Sequence, residues 1–283
     1  MIRKRKRQVR WIDGTPTVMI DNQTVQITRL LGNGDGNTKL AKNGKFGTYQ
    51  TVGLSLSPSD ENGIGNVCPN ASNGCRESCL NDTGMAIVFE HIKRQRIAKT
   101  IMWYRERQWF LDQLAKELRS AEKKAERKDR KLACRLNVFS DIAFERYAIS
   151  LENEFSDIEF YDYTKNVNRA GQVLRNYWVT FSRSETNDAE CRKVLKDGGN
   201  VATVFDSGML SNERQRKQNQ GLELILPKTW HGFPVIDGDD TDLRFTDRKG
   251  VVIGLWLKAG TRADYDNAVN SGFAVKTLYS KEG

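Results

Sequence analysis

The sequence predicts an α/β protein, a complete or partial (β/α) barrel of parallel strands with a small β-rich N-terminal appendage. Three observations lead there. From Tyr49 onward, β-prone runs alternate with helix-prone runs, which implies a parallel sheet with crossover helices. Polar residues collect just after the β-prone runs, where such sheets build their sites. Three cysteines follow the first of these runs. Five or six strand–helix units fit a barrel, and a doubly wound open sheet is the competing layout.

Residues 1–48 read as a basic arm and the β-rich appendage. Arg3, Lys4, Arg5, Lys6, Arg7 and Arg10 crowd the start; β-prone pieces at 17–20 and 24–31 lead into a Gly/Asn-rich loop at 32–37. Residues 49–260 read as the barrel-like domain and 261–283 as a C-terminal extension. Within the domain, 49–57 is β-prone and runs into the cysteine loop. Residues 86–130 follow, helical in one or two pieces, with Ile97, Ile101, Tyr104, Phe110, Leu111, Leu114 and Leu118 recurring at threes and fours. A buried strand is expected over 131–139, its helix over 141–155, the next strand over 158–163 and a short helix over 168–174. Strand 177–181, helix 188–196 stopping at Gly198-Gly199, and strand 201–205 come next. The runs 222–226, 235–237 and 251–257 are also β-prone.

Composition narrows the function. The chain has 283 residues, 38% of them hydrophobic, with six Trp, twelve Phe and eight Tyr, enough for a core. No apolar run of about eighteen residues suggests a membrane span. The basic N-terminus lacks the apolar stretch and cleavage site of a secretory leader. A formal charge of +9 favours polyanions, DNA or RNA above all. Five cysteines, three of them within twelve residues, do not resemble a secreted disulfide framework. They point to a reducing, cytoplasmic setting and a metal. Nothing in the sequence fixes an oligomeric state.

The cysteine loop carries the sharpest signal. Cys68, Cys75 and Cys79 are spaced Cys-x6-Cys-x3-Cys, and thiolates suit iron–sulfur clusters or zinc. Structural zinc takes four protein ligands, usually with a Cys-x2-Cys pair, and no such pair occurs. Cys134 is expected at the amino end of its strand and Cys191 inside a helix, so neither is a good fourth ligand. His91 keeps zinc open as the alternative metal. Three thiolates without an evident fourth ligand suit a [4Fe–4S] cluster with one open iron. Asn70, Asn73 and Gly74 let the loop fold tightly, so that backbone N–H groups can donate to sulfur.

The expected strand ends are unusually polar. Asn137, Ser140 and Asp141 follow one, Tyr163, Thr164 and Lys165 another, Ser182, Arg183, Ser184 and Glu185 a third, and Asp237, Asp239 and Asp242 a later one. Helix capping is the plainer explanation for any single Ser or Asp. It does not cover Tyr163, Lys165, Arg183 and Glu185, which together suggest a shared polar cavity.

A cysteine triad after the first strand of a partial barrel resembles the radical S-adenosylmethionine enzymes, although their usual triad is Cys-x3-Cys-x2-Cys. The chain is more closely similar to a family of uncharacterised bacteriophage and plasmid proteins. The shared pieces are Cys68-Pro69-Asn70-Ala71, Cys75, Cys79, Arg135-Leu136-Asn137, Ser140-Asp141-Ile142, Tyr161-Asp162-Tyr163-Thr164-Lys165, Ser182-Arg183-Ser184-Glu185 and Val235-Ile236-Asp237-Gly238-Asp239. The likeness covers about residues 38–260 and implies a phage origin. The radical-enzyme resemblance implies an open iron that binds S-adenosylmethionine. Asn137, Ser140, Asp141, Ser182 and Ser184 would then be cofactor-binding, and Lys165, Glu185 and Asp237 the candidate catalytic and substrate-holding residues. No Gly-rich cofactor strip accompanies them.

The competing function is a nucleic-acid-binding protein with a structural metal. The arm from Arg3 to Arg10 would contact phosphates and Trp11 would stack on a base. The basic stretch 93–131, with Trp103, Tyr104 and Trp109, reads first as a solvated helix surface, because Glu106, Glu117, Glu122 and Glu126 offset its charge. Other chemistries lack their parts. Only His91 and His231 exist, and no nucleophile elbow or Walker loop is present. The acidic set Asp237, Asp239, Asp240 and Asp242 reads as a turn around Gly238 before it reads as a Mg²⁺ site.

Overall fold

A computed structural model describes residues 8–34, 47–79, 90–147, 151–170 and 174–277. In chain order the elements begin with β1 (Val9–Ile12), β2 (Thr15–Ile20), β3 (Gln23–Gln26), β4 (Leu31–Asn33) and β5 (Tyr49–Leu54). Next come α1 (Asn73–Glu77), α2 (Glu90–Arg105), α3 (Arg107–Glu126), β6 (Lys131–Arg135), α4 (Leu151–Glu154) and β7 (Ile158–Thr164). Then follow α5 (Val167–Ala170), β8 (Tyr177–Ser182), α6 (Asp188–Lys196), β9 (Val201–Phe205) and α7 (Ser211–Asn219). The chain closes with β10 (Thr229–Trp230), β11 (Phe233–Asp237), β12 (Val252–Trp256) and α8 (Arg262–Asn270). Among the described residues no helix is long and apolar enough to cross a membrane.

β1, β2 and β3 form a three-stranded sheet, and a nine-stranded sheet has the order β10-β11-β12-β9-β8-β7-β6-β5-β4. From β5 to β9 the strands lie in chain order; beyond β9 the order turns back, with β12 between β9 and β11. Closure of this sheet into a barrel is not seen among the described pairings. The chain divides into two compact units. The first comprises Met1–Pro69, Met85–Asp162 and Val173–Trp178, and the second Asn70–Gly84, Tyr163–Gln172 and Val179–Gly283.

In the first unit, β1–β3 are joined by two-residue turns at Asp13-Gly14 and Asp21-Asn22, all four residues having positive φ. Such turns match the twist of the flanking strands and set the hairpin register. Val18, Ile20, Val25 and Ile27 are buried, and α2 packs on β2 and β3. The β-rich appendage is therefore residues 9–26, because β4 pairs antiparallel with β5 in the large sheet instead. The arm residues 1–7 lie outside the described residues, as does the expected helix start at 86–89.

β5, β6 and β7 are parallel, with Val52 beside Cys134 and Cys134 beside Phe160. The helical period was legible: Ile97, Ile101, Phe110, Leu111, Leu114 and Leu118 are all buried. The two pieces break at Glu106, whose φ of −129° and ψ of 55° are not helical. Residues 131–139 and 141–155 depart from expectation. β6 stops at Arg135, and a 3₁₀ turn at Phe144–Arg146 and the short α4 replace the long helix. The reason is aromatic packing. Trp103 gathers Phe110, Phe144 and Tyr147 at centroid distances of 5.4, 5.1 and 4.8 Å, and Arg107 lies 3.6 Å over its ring. Burying Phe144 there outweighs the local helical preference.

The turn before β4 is held by two ionisable groups. Glu117 accepts the N–H groups of Leu30 and Leu31 at 2.8 Å, and Lys99 donates to the Leu30 carbonyl at 2.7 Å. Burial lowers the Lys99 ammonium from its ordinary 10.5 to about 8; Glu117 opposes this, and Arg29 and Arg96 add to it. The unfolded chain therefore binds more protons than the folded one between those two values, and stability rises with pH through that window. The free energy of urea unfolding, measured at pH 7.5 and 9.5 for the protein and for Lys99→Met, checks this. The wild type is expected to gain on the order of 1–2 kcal/mol relative to the variant over that interval. A pH-independent difference would contradict it.

In the second unit, β8, β9, β12 and β11 are parallel. Phe181, Cys191, Val194, Leu195, Val201, Phe205, Val252 and Trp256 form its core. α6 and β9 match their sequence expectation, and the turn after α6 uses Gly198 at φ 84°. The run 222–226 is not a strand. The segment expected as a C-terminal extension packs into this unit. α8 starts with a capping box between Thr261 and Asp264, Tyr265 donates to Asp206 at 2.6 Å, and Val275 bridges to Phe205.

Candidate metal centre

In the first unit, Cys68 closes the long loop after β5. Asn62, fully buried, shapes that loop by accepting from the N–H groups of Ile64 and Gly65 and donating to the Gly65 carbonyl. Gly65 has no room for a side chain, since a Cβ would lie 2.3 Å from the Tyr104 ring. The Cys68 sulfur accepts from the Ser59 N–H at 3.3 Å and donates to the Phe139 carbonyl at 3.4 Å. Next to it, the Asp141 N–H donates to the Val67 carbonyl at 2.8 Å. The loops after β5 and β6 thus meet at Cys68, as their shared carboxyl-end position requires.

The expected cofactor residues Asn137 and Ser140 turn inward. Both are buried together with Asp162 and Tyr177. Asp162 accepts from the Asn137 backbone N–H at 2.8 Å, from its side-chain amide at 2.6 Å, and from the Tyr177 hydroxyl. The Asn137 amide also donates to the Ile142 carbonyl, and its oxygen accepts from Ser140 and from the Ile142 N–H. Two donors and two acceptor sites are thereby filled, and an amide side chain has no more to offer a ligand. Asp162 was legible only as one polar strand end among many; its place at the hub of this network was not.

In the second unit, α1 carries Cys75, and Cys79 follows it. The turn continues beyond α1 through hydrogen bonds from Ser78 to Gly74 and from Cys79 to Arg76. Cys75 lies within α1, and Cys79 is the residue just past its C-cap, Ser78. Ser72 caps α1, accepting from the Cys75 N–H at 3.2 Å.

Glu185, expected to be catalytic, binds the start of that helix. Its carboxylate accepts from the Ser72 hydroxyl at 2.7 Å and from the Gly74 N–H at 2.8 Å. Burial raises its pKa, but the N–H groups of Gly74 and of Glu185 itself, the Ser72 hydroxyl and the Lys165 charge outweigh this. Together they hold the carboxyl below its ordinary range. Lys165 also lies 5.9 Å from the Phe273 ring. Arg183 ties the Gly272 and Phe273 carbonyls to Asp188, which lies 3.7 Å from His231. Asn187 organises the turn between, donating to the Ser182 carbonyl and accepting from the Ser184 N–H.

Asp237 stands apart from that group at the end of β11, where it accepts from the Asp239 N–H. Asp239 pairs with Lys258 at 2.9 Å, and Asp242 accepts from Tyr163. The acidic run is thus a hydrogen-bonded turn. Lys258 also lines a cavity of about 30 Å³, roomy enough for a water, with Glu77, Cys79 and Asp264.

None of the five cysteines, all of them among the described residues, forms a disulfide. Cys134 is the penultimate residue of β6, not at its amino end, and burial followed by the Asp162 charge raises its thiol well above the ordinary value. Burial, then Asp188, pushes Cys191 up to about 12. Both remain protonated thiols in the core. Cys68, Cys75 and Cys79 are half-buried, which suits ligands that must lose a proton. The donor chemistry fits a thiolate-bound metal, although no group of three or more His, Cys, Asp or Glu is gathered to hold one among the described residues. His91, the candidate fourth zinc ligand, lines an open groove with Gln23, Thr24 and Gln26 of β3.

A family model described as Gene product 88 matches residues 29–277. The chain belongs to the gene product 88 family, which is of phage type. No curated protein and no solved structure matches it. The gene product 88 match takes in both units, all three candidate ligands and α8, while the β1–β3 sheet precedes it. The Glu185 grip on α1 and the capping box of α8 in this gene product 88 chain also escaped the sequence reading. The second had a readable signal, Thr261 three residues before Asp264.

Proposed function

We propose that this gene product 88 protein is an iron–sulfur protein in which Cys68, Cys75 and Cys79 hold a [4Fe–4S] cluster, working as a radical S-adenosylmethionine-like enzyme on a partial (β/α) barrel. The observation that carries the reading is the set of half-buried thiols: Cys68, Cys75 and Cys79 are all partly accessible while Cys134 and Cys191 are sealed in the core, and accessible thiols are the ones that can lose a proton to a metal. The in-order, mostly parallel run of strands from β5 to β9 is compatible with the partial barrel. The Ser59 N–H on the Cys68 sulfur is the kind of donor that tunes a cluster.

When bound, such a cluster supplies the electron for reductive cleavage of S-adenosylmethionine. The chain's own residues position and shield. Asn137 and Ser140 brace the loop under Cys68, Glu185 and Ser72 set the α1 turn, and Lys165 offers a cation near Glu185. Anaerobic protein given S-adenosylmethionine and a strong reductant is expected to release methionine, and Ala variants of the three cysteines are not. A metal-loaded protein that neither binds nor cleaves S-adenosylmethionine would leave the metal structural, as zinc or iron–sulfur.

A second reading, contact with DNA or RNA, is favoured by exposed apolar side chains beside the basic arm in the sequence. Trp11, Ile12 and Met19 are 47%, 46% and 51% exposed on β1 and β2, directly after the basic arm. Trp11 meets Trp109 edge-on at 5.8 Å. Deleting residues 1–7 is expected to weaken nucleic-acid binding and flatten its dependence on salt, as fewer phosphate contacts release fewer counterions. An unchanged salt slope would make the arm a passive tail.

A further inference from the structure

The α1 segment sits in a seat built for it. On one side is the Glu185 carboxylate, accepting from Ser72 and Gly74. On the other are Ser271 and Phe273, held where they are by Arg183 on the Gly272 and Phe273 carbonyls. Between them there is no space for a side chain at position 74. A Cβ there would lie 2.9 Å from the Glu185 carboxylate, 2.9 Å from Phe273 Cβ and 3.0 Å from Ser271 Oγ. Five residues are too few to hold a helix by themselves, because the first turn costs more order than its single hydrogen bond returns. The tertiary seat must therefore supply the geometry of Cys75 and Cys79.

We propose that Glu185 is a positioning residue that clamps the N-terminus of α1 and so fixes the Cys75–Cys79 pair for ligation, and that it is not an acid–base catalyst. This deepens, and rests on, the reading of those cysteines as ligands. Both carboxylate oxygens are engaged by the segment they hold, one with a backbone N–H and one with the capping hydroxyl. That is the arrangement of a cap, and charge-assisted bonds of this kind are the strong ones. Glutamine keeps the shape and one acceptor, while its amide N–H₂ can donate to the Ser72 hydroxyl. Alanine removes both contacts. Gly74→Ala keeps the Glu185 side chain but forces the seat open, because the added Cβ presses on the Glu185 carboxylate, Phe273 and Ser271 alike.

The test is cysteine alkylation by iodoacetamide in the full-length chain, stripped of metal by chelation and read residue by residue by mass spectrometry, beside iron and sulfide content after anaerobic reconstitution. Cys75 and Cys79 are expected to react about tenfold faster in Glu185→Ala and Gly74→Ala, with Glu185→Gln in between, because local opening exposes them. Cys134 and Cys191, buried in the core, are expected to stay slow in every variant. Iron content should fall in the same order. Unchanged rates at Cys75 and Cys79 would overturn the clamp whatever the metal content. Equal acceleration at Cys134 and Cys191 would also overturn it, by making Glu185 a general stabiliser of the fold. Selective acceleration in a protein that never takes up iron would uphold the clamp and sink the cluster.

Discussion

Replacing Asp162 by alanine is expected to destabilise the protein by about 3–5 kcal/mol, the cost typical of removing one partner from a buried charged network. Asp162 is fully buried and accepts from the Asn137 backbone, the Asn137 amide and the Tyr177 hydroxyl. Alanine would leave all three donors in the core without that acceptor. It would also loosen Asn137, which holds Ser140 and Ile142. For a chain of this size the melting temperature should drop by roughly 10 °C. Asp162→Asn should cost less but still clearly destabilise, since its amide nitrogen meets donors where an oxygen is needed. Urea and thermal unfolding check both. A loss under about 1 kcal/mol for Asp162→Ala would show the network to be solvated rather than sealed.

The second large effect concerns the thiols. Alanine at Cys68, Cys75 or Cys79 is expected to abolish the visible absorption of the anaerobically reconstituted protein and most of its iron, because a cluster missing one of three thiolates is poorly held. Alanine at Cys134 or Cys191 is expected to leave both in place. Those two thiols are sealed in the core, and burial keeps them protonated. The pattern separates ligands from packing residues without reference to activity. Loss of iron on Cys134→Ala would make Cys134 a fourth ligand and favour a closed four-thiolate site.

The long periodic helices, the buried strand 201–205 and the α6 helix were legible because local pattern and tertiary role agree there. Residues 141–155 were misread because Phe144 is drawn to Trp103, a contact 41 positions back along the sequence that no local window contains. The short α1 escaped for a related reason, as its helical turn is stabilised by Glu185 from far along the chain. The polar strand ends were rightly placed near the ends of the strands, but burial sorted them in a way the sequence does not display. Asn137 and Ser140 spend their hydrogen bonds on the fold, Glu185 on α1, and Asp237 on its own turn. The cysteine spacing marked Cys68, Cys75 and Cys79 as candidate ligands, but not the short helical turn that carries Cys75.

The most direct measurement is the iron, acid-labile sulfide and zinc content of the full-length protein prepared without oxygen. About four irons and four sulfides per chain, with negligible zinc, are expected for a [4Fe–4S] cluster on three thiolates. Stoichiometric zinc with no labile sulfide would contradict it.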